Sequence, residues 1–189
     1  MKLSALIKIS SFFALILSAG CFPRANWQKN YNYKNLRTIA VAGLDSPENY
    51  ASAGGAARDI ISGYLLESGF RVVDSAVFDK MLQNTGMRSD KMFAQIGALA
   101  GADAIIDGSV FRCQEEKAER VYYTGSDGEM DYETVFYNAK VDITLRLIDA
   151  ETGEVVWANS DSYESFDIRH TMESAVFTTL RPLKKLLAN

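Results

Sequence analysis

The apolar positions of this chain change their spacing along its length, which predicts that strands alternate with helices. Residues 37–44 (RTIAVAGL) form an apolar run rich in β-branched side chains, and Asp45-Ser46-Pro47 follows it, as expected for a buried strand and a turn. From Ala53 to Ser68 the apolar residues recur at intervals of three and four, as on one face of a helix. The domain therefore begins with a predicted strand followed by an amphipathic helix.

The same two patterns continue as far as residue 111. Phe70–Val73 is short and mostly apolar and predicts a second strand. Two short helices should follow it, because apolar residues recur at helical spacing after the N-cap signals Asp74 and Ser89. Ala104–Phe111 predicts a third strand, and Gly108 within it indicates a close backbone approach or a bulge.

The last part of the chain has the alternation typical of an antiparallel sheet. Within Asn138–Ile148, apolar and polar side chains alternate, which predicts a half-buried strand. A turn at Glu151-Thr152-Gly153 leads into Val155–Ser160, the expected antiparallel partner. A final helical stripe contains Pro182, where we expect a kink or a break.

A hydrophilic excursion over residues 113–137 lies between these two parts. Its centre carries the turn signal Ser126-Asp127-Gly128, and aromatic and β-branched residues on both sides predict the arms of a hairpin that projects beyond the sheet. Aromatic anchors with a polar rim characterise protein interfaces. Our candidate contact residues for a partner are Tyr122, Tyr123, Asp127, Tyr132 and Phe136. A merely solvated loop is the alternative interpretation.

The predicted order of elements is β-α-β-α-α-β-β-β-α. An α/β beginning followed by an antiparallel meander predicts an α/β (α+β) fold: a mixed β-sheet of about five strands, flanked by helices, with a protruding hairpin.

The N-terminus predicts export and lipid attachment. Lys2 and Lys8 precede a short apolar stretch that is less than the length of about 20 residues needed to span a bilayer. The sequence Leu17-Ser18-Ala19-Gly20-Cys21 resembles a lipobox, although Ser18 stands where leucine is usual. Cys21 is the expected lipidation site. A plain cleaved signal and an uncleaved anchor remain alternatives.

These features divide the chain into a signal peptide (1–20), a lipidated flexible tether (21–35) and a periplasmic domain (36–189). By the enteric sorting rule, Phe22 after the cysteine, where aspartate would retain the protein in the inner membrane, favours the periplasmic face of the outer membrane.

Net charge and cysteine content limit the class of partner and the source of stability. The formal charge of −4 becomes −6 without Lys2 and Lys8, which disfavours nucleic acid because phosphate contacts require clustered basic residues. Once Cys21 is lipidated, Cys113 has no cysteine left to pair with, so the core must supply the stability.

The residues with chemical potential do not form a recognisable catalytic or metal set. His170 is the only histidine, and Cys113 has no evident base. Asp103 and Asp107 are four apart around a strand, where capping or turn roles are expected ahead of acid–base chemistry. The sequence predicts no enzyme, no cofactor and no metal.

Four phrases in this order carry a family resemblance: RTIAVAGL, YLLESGFRVVDSAVFDKML, IGALAGADAIIDGSV and VDITLRLIDAETGEVVWA. Together they resemble the CsgG-type domain family, which also includes LpoB-like activators of peptidoglycan synthases and the N-terminal domain of TolB. The resemblance implies a mixed sheet flanked by helices, in a family whose members are often periplasmic lipoproteins. It implies no catalytic motif.

The predicted function is that of a non-catalytic binding or regulatory module in cell-envelope assembly. Its partners would be the membrane, through Cys21, and an envelope protein such as a peptidoglycan synthase or secretion machinery. The alternative is a subunit of an oligomeric curli-type secretion channel, and a homo-oligomer is compatible with both. Against the channel, the excursion is acidic, and from Gln114 to Arg120 neither alternate set of residues is apolar.

Overall fold

A six-stranded mixed sheet forms the centre of the protein. The computed structural model describes residues 25–83, 89–116, 120–134 and 138–188. The strands of these residues are β1 (Asn26–Trp27), β2 (Thr38–Val41), β3 (Arg71–Val72), β4 (Ala104–Glu116), β5 (Arg120–Thr124), β6 (Met130–Thr134), β7 (Asn138–Asp149) and β8 (Val155–Ser165). The α-helices are α1 (Ala53–Glu67), α2 (Ser75–Gln83), α3 (Asp90–Leu99) and α4 (Ile168–Ala188).

The strand order in the main sheet is β1-β8-β7-β4-β2-β3. Strand β2 pairs in parallel with β3 and β4, whereas the β4–β7, β7–β8 and β8–β1 pairs are antiparallel. Strands β5 and β6 form a separate two-stranded sheet. The predicted fold class and protruding hairpin are confirmed. The sheet has six strands rather than about five.

Helices cover the sheet on both faces and create two cores. Helices α1 and α4 pack with the larger cluster, to which β7 contributes the alternate residues Val141, Ile143, Leu145 and Leu147, all fully buried. Helices α2 and α3 pack Phe78, Phe93 and Ile96 against Ile105 and Ile148 on the other face. Along most of β7, the predicted alternation therefore separates apolar side chains in the larger core from polar side chains on the opposite face, where Ile148 is the exception.

Gly108 lies where strands β4 and β7 approach closely. A Cβ atom at this position would stand 2.1 Å from the carbonyl oxygen of Thr144, well inside the van der Waals distance. The close approach is the reason for glycine here, while the irregularity in the ladder comes later, between Val110 and Arg112.

The last helix does not break at Pro182. Helix α4 runs through the proline as one helix of 21 residues. Leu180 and Leu183 on either side of Pro182 are each 1% exposed and belong to the larger core. Packing on the sheet thus outweighs the loss of one helical hydrogen bond.

The segment before β2 differs from its sequence prediction. Residues 25–35, expected as part of a flexible tether, are folded onto the sheet. Asn26 and Trp27 pair with β8, and Tyr33, 6% exposed, donates its hydroxyl hydrogen to the carbonyl oxygen of Val156 at 2.6 Å. A two-residue strand has no readable period, so the sequence pattern misses it.

A tyrosine–carboxylate pair holds this segment down. The hydroxyl of Tyr31 donates to the carboxylate of Asp149 at 2.6 Å. Burial alone would raise the pKa of Asp149, but hydrogen bonds from Tyr31, Thr152 and Glu151 outweigh it and hold that pKa below its ordinary value. Burial first, and then the bond to Asp149, raise the pKa of Tyr31 well above its ordinary value. The pair therefore ties the N-terminal segment to the β7–β8 turn with a charge-assisted hydrogen bond.

Candidate partner-binding surface

The β5–β6 hairpin lies between β4 and β7 in the chain and forms its own two-stranded sheet. Glu116 pairs with Asn138 at one end of the long ladder, and Arg120 pairs with Thr134 at the base of the hairpin. Three residues separate these two rungs along each of the two chain segments, so the ladder and the hairpin have the same pairing register. Among the described elements, β5 and β6 pack substantially only against each other.

A five-residue loop closes the hairpin at the predicted turn. Gly128 has φ +82°, a left-handed conformation that favours glycine. The backbone N–H of Gly125 donates to the carbonyl oxygen of Glu129 at 2.7 Å, and the carboxylate of Asp127 accepts from the N–H of Glu129 at 3.1 Å. Asp127 thus helps to form the turn that sets the register of both arms.

The register divides the hairpin into two faces. Residues directly opposite each other in an antiparallel pair share a face. One face, here called the tyrosine face, carries Tyr122 opposite Tyr132 and Thr124 opposite Met130. The other, here called the acidic face, carries Val121 opposite Glu133 and Tyr123 opposite Asp131.

The tyrosine face is exposed although it is largely apolar. The rings of Tyr122 and Tyr132 lie 6.0 Å apart between centroids, tilted by 54°, and remain 59% and 53% exposed. Met130 is 79% exposed. On the acidic face Tyr123 is about half exposed, and its hydroxyl lies 3.5 Å from the carboxylate of Asp131.

These features favour contact with another molecule. A two-stranded hairpin without a packed face is only marginally stable in water. Tyrosine and methionine are enriched at the cores of protein interfaces, while charged residues are typical of their rims. Covering the tyrosine face would stabilise the hairpin and bury its aromatic pair.

The structure separates the predicted contact residues from one another. Tyr122 and Tyr132 lie together on the tyrosine face, Tyr123 lies on the opposite face, and Asp127 lies in the turn. Phe136 and the lipidation site Cys21 are outside the described residues. Sequence reasoning missed Met130, which counting rungs back from the Gly128 turn would have placed beside the tyrosines.

The residues considered for catalysis do not meet at one place. One carboxylate oxygen of Asp103 accepts from the backbone N–H groups of Arg37 and Thr38, each at 2.7 Å, which is the expected kind of structural role. Asp107 is 7% exposed and instead forms an ion pair across the strands with Arg146, at 2.7 Å.

Cys113 and His170 lie apart from the two aspartates. Cys113 is fully buried in the larger core, and burial raises the pKa of its thiol, which disfavours the thiolate. His170 is exposed on α4, with its ring edge-on to Tyr163. In the residues that the structure describes, no three histidine, cysteine or acidic side chains are grouped so as to hold a metal ion. Over the same residues, no helix has the length and apolarity needed to cross a membrane.

Solved structures show that the fold has relatives. The PelC dodecamer from Paraburkholderia phytofirmans is 18% identical, with a TM-score of 0.54, and the match covers 86% of this chain and 98% of that one. Lipoprotein GNA1162 from Neisseria meningitidis is 16% identical, with a TM-score of 0.52, over 77% of this chain and 99% of that one. The C-terminal domain of LpoB from Salmonella enterica is 12% identical over 79% and 90%, with a TM-score of 0.44.

The comparison with curated proteins finds no match. The family model described as "Curli production assembly/transport component CsgG" matches residues 35–177. This match includes every strand of the main sheet except β1, the helices α1, α2 and α3, and the first half of α4. The chain belongs to the CsgG family.

Proposed function

We propose that this protein is a lipid-anchored lipoprotein of the cell envelope, without catalytic activity, that binds another envelope protein through the β5–β6 hairpin. The observation that carries the proposal is the exposed tyrosine face, on a hairpin that stands clear of both cores. The helix-covered sheet is the scaffold that holds this hairpin in one register.

Lipid attachment through Cys21 supports this assignment from the sequence side. The lipobox-like Leu17-Ser18-Ala19-Gly20-Cys21 follows a basic and then an apolar stretch, and Phe22 favours the periplasmic face of the outer membrane. More than one acyl chain on the cysteine would hold the protein stably on that membrane. We expect the wild-type protein to be exported and attached to the membrane. We expect a Cys21→Ser variant to lose this membrane attachment.

Within this function, the partner is an assembly factor such as a peptidoglycan synthase, as for LpoB-type activators, or a component of secretion machinery. The family resemblance supports both. Candidate contact residues are Tyr122, Tyr132 and Met130 on the tyrosine face. Tyr123, Asp127 and Phe136 remain candidates from the sequence.

Photo-crosslinking in living cells tests the proposal at the level of single faces. A photoreactive phenylalanine analogue at Tyr122 or Tyr132 should trap one envelope protein, identified by mass spectrometry. The same analogue at Val121 is the matched control, because Val121 lies one residue away on the opposite face. Equal trapping from both faces, or no trapping together with an unchanged phenotype after deletion of the hairpin, would contradict the proposal.

The second candidate function is a subunit of an oligomeric secretion channel. Membership of the CsgG family and the dodecameric state of PelC favour it. The exposed acidic residues of the hairpin disfavour it. The resemblance to curli-type channels also implies two membrane hairpins per subunit, and the two-residue connection between β8 and α4 leaves no room for the second. Size determination in detergent separates the two functions: a ring of many copies supports the channel, and a monomer excludes it.

A further inference from the structure

The β1 edge of the sheet presents an exposed tryptophan in a fixed position. Trp27 is 49% exposed, while its backbone pairs with Trp157 on β8. The next residue, Gln28, donates its backbone N–H to the carbonyl oxygen of Val156 at 2.9 Å, and its side-chain amide to Glu154 at 3.3 Å. The indole is therefore carried by an ordered edge strand.

The chain length between this edge and Cys21 is short. Four residues lead from Cys21 to the buried Ala25, and a fully extended chain of four residues spans at most about 14 Å. If Cys21 carries acyl chains, as the proposed function requires, the β1 edge is held within that distance of the bilayer. A tether of fifteen flexible residues would have placed no such limit on it.

Basic residues without carboxylates occupy the part of the chain that follows Cys21, and the carboxylates come later in the sequence. Residues 21–44 carry four basic side chains and no carboxylate: Arg24, Lys29, Lys34 and Arg37. The following 145 residues carry 24 carboxylates against 14 basic groups. Lys29 and Lys34 are exposed close to Trp27 in sequence. Basic residues are attracted to an anionic bilayer, and tryptophan favours the headgroup layer.

We propose that the β1 edge is a membrane-contacting surface, with Trp27 in the headgroup layer of an anionic phospholipid bilayer and Lys29 beside its phosphates. The inference rests on the proposed lipidation of Cys21 and is independent of what the hairpin binds. It adds a second, protein-encoded contact to the lipid anchor and fixes which edge of the sheet faces the membrane.

Tryptophan fluorescence tests this contact, because the two tryptophans of the chain differ in exposure. Trp157 is 1% exposed and serves as the internal reference. The full-length lipidated protein is reconstituted in vesicles of phosphatidylethanolamine and phosphatidylglycerol that contain lipids brominated near the headgroup. We expect quenching of the wild-type emission and none in the Trp27→Phe variant, whose remaining emission comes from Trp157. We also expect that vesicles protect Trp27 from aqueous acrylamide.

Two measurements on the same sample separate this inference from the proposed function. The mass of the N-terminal peptide reports whether Cys21 is acylated, and flotation reports whether the protein is on the vesicles. Acylated protein that floats but shows no bromolipid quenching of Trp27 would overturn the membrane contact and leave the anchor intact. An unmodified Cys21 would overturn both the anchor and the contact.

Discussion

The β4–β7 ladder and the β5–β6 hairpin follow each other along the chain with the same pairing register, yet their surroundings differ completely. Within the ladder, Ile143 and Leu145 are fully buried beneath helices. In the hairpin, by contrast, Tyr122 and Tyr132 are more than half exposed. The difference indicates that one part of the ribbon supplies stability and the other is available for binding.

The largest effect should come from shortening a core residue of the ladder. Leu145→Ala removes buried methyl groups from the centre of the larger core and should lower the free energy of unfolding by about 2–5 kcal/mol. Urea denaturation of the exported domain measures this loss. A decrease of less than about 1 kcal/mol in the free energy of unfolding would show that the β4–β7 ladder does not supply the stability of the fold.

The second effect concerns the attachment of the N-terminal segment to the ladder. Tyr31→Phe removes the donor to Asp149 and should cost about 1.5–3 kcal/mol at neutral pH, since the acceptor is charged. Because the pKa of Asp149 is lowered on folding, this contribution is present above the ordinary carboxyl pKa of about 3.9 and is lost as the pH falls below it.

The matched control is Tyr33→Phe. Its hydroxyl donates to the backbone carbonyl of Val156, which does not titrate, so its cost should be the same at neutral pH and at about pH 3. Urea denaturation at both pH values compares the variants. Parallel pH profiles for the two would mean that the Tyr31–Asp149 bond does not hold the segment.

The smallest effect on stability should come from the tyrosine face. Tyr122→Ser changes an exposed side chain outside both cores, so the free energy of unfolding should stay within about 0.5 kcal/mol of the wild type. Binding to the partner should nevertheless weaken by about 2 kcal/mol or more if Tyr122 is an interface anchor. Val121→Ser on the acidic face is the control, and an equal loss of binding in both variants would remove the distinction between the faces.

The elements in which apolar residues recur at a regular spacing could be predicted from the sequence. The alternation over Asn138–Ile148 and the helical spacing over Ala53–Ser68 each extend for several turns or rungs, so β7 and α1 could be predicted. Strand β1 could not, because Asn26 and Trp27 are held by pairing with β8 and by the hydroxyl contacts of later tyrosines. The break considered at Pro182 does not occur, because tertiary packing overrides this local preference.

The candidate surface could be predicted in position but not in detail. Tyrosines and a Gly128 turn in a hydrophilic stretch identify a hairpin. The face of the hairpin on which each side chain lies depends on the pairing register, which cannot be read from the sequence alone. Tyr123, a predicted contact residue, lies on the acidic face, whereas Met130, which is not among the predicted contact residues, lies beside the tyrosines.

Amide hydrogen exchange tests the central claim most directly, with and without the envelope protein trapped by crosslinking at Tyr122. In the free protein, amides of β5 and β6 should exchange far faster than those of Ile143 and Leu145, because the hairpin lacks a packed face. Addition of the partner should slow exchange in the hairpin and leave the β4–β7 ladder unchanged. Protection that appears on another surface, with the hairpin still exchanging fast, would contradict the account.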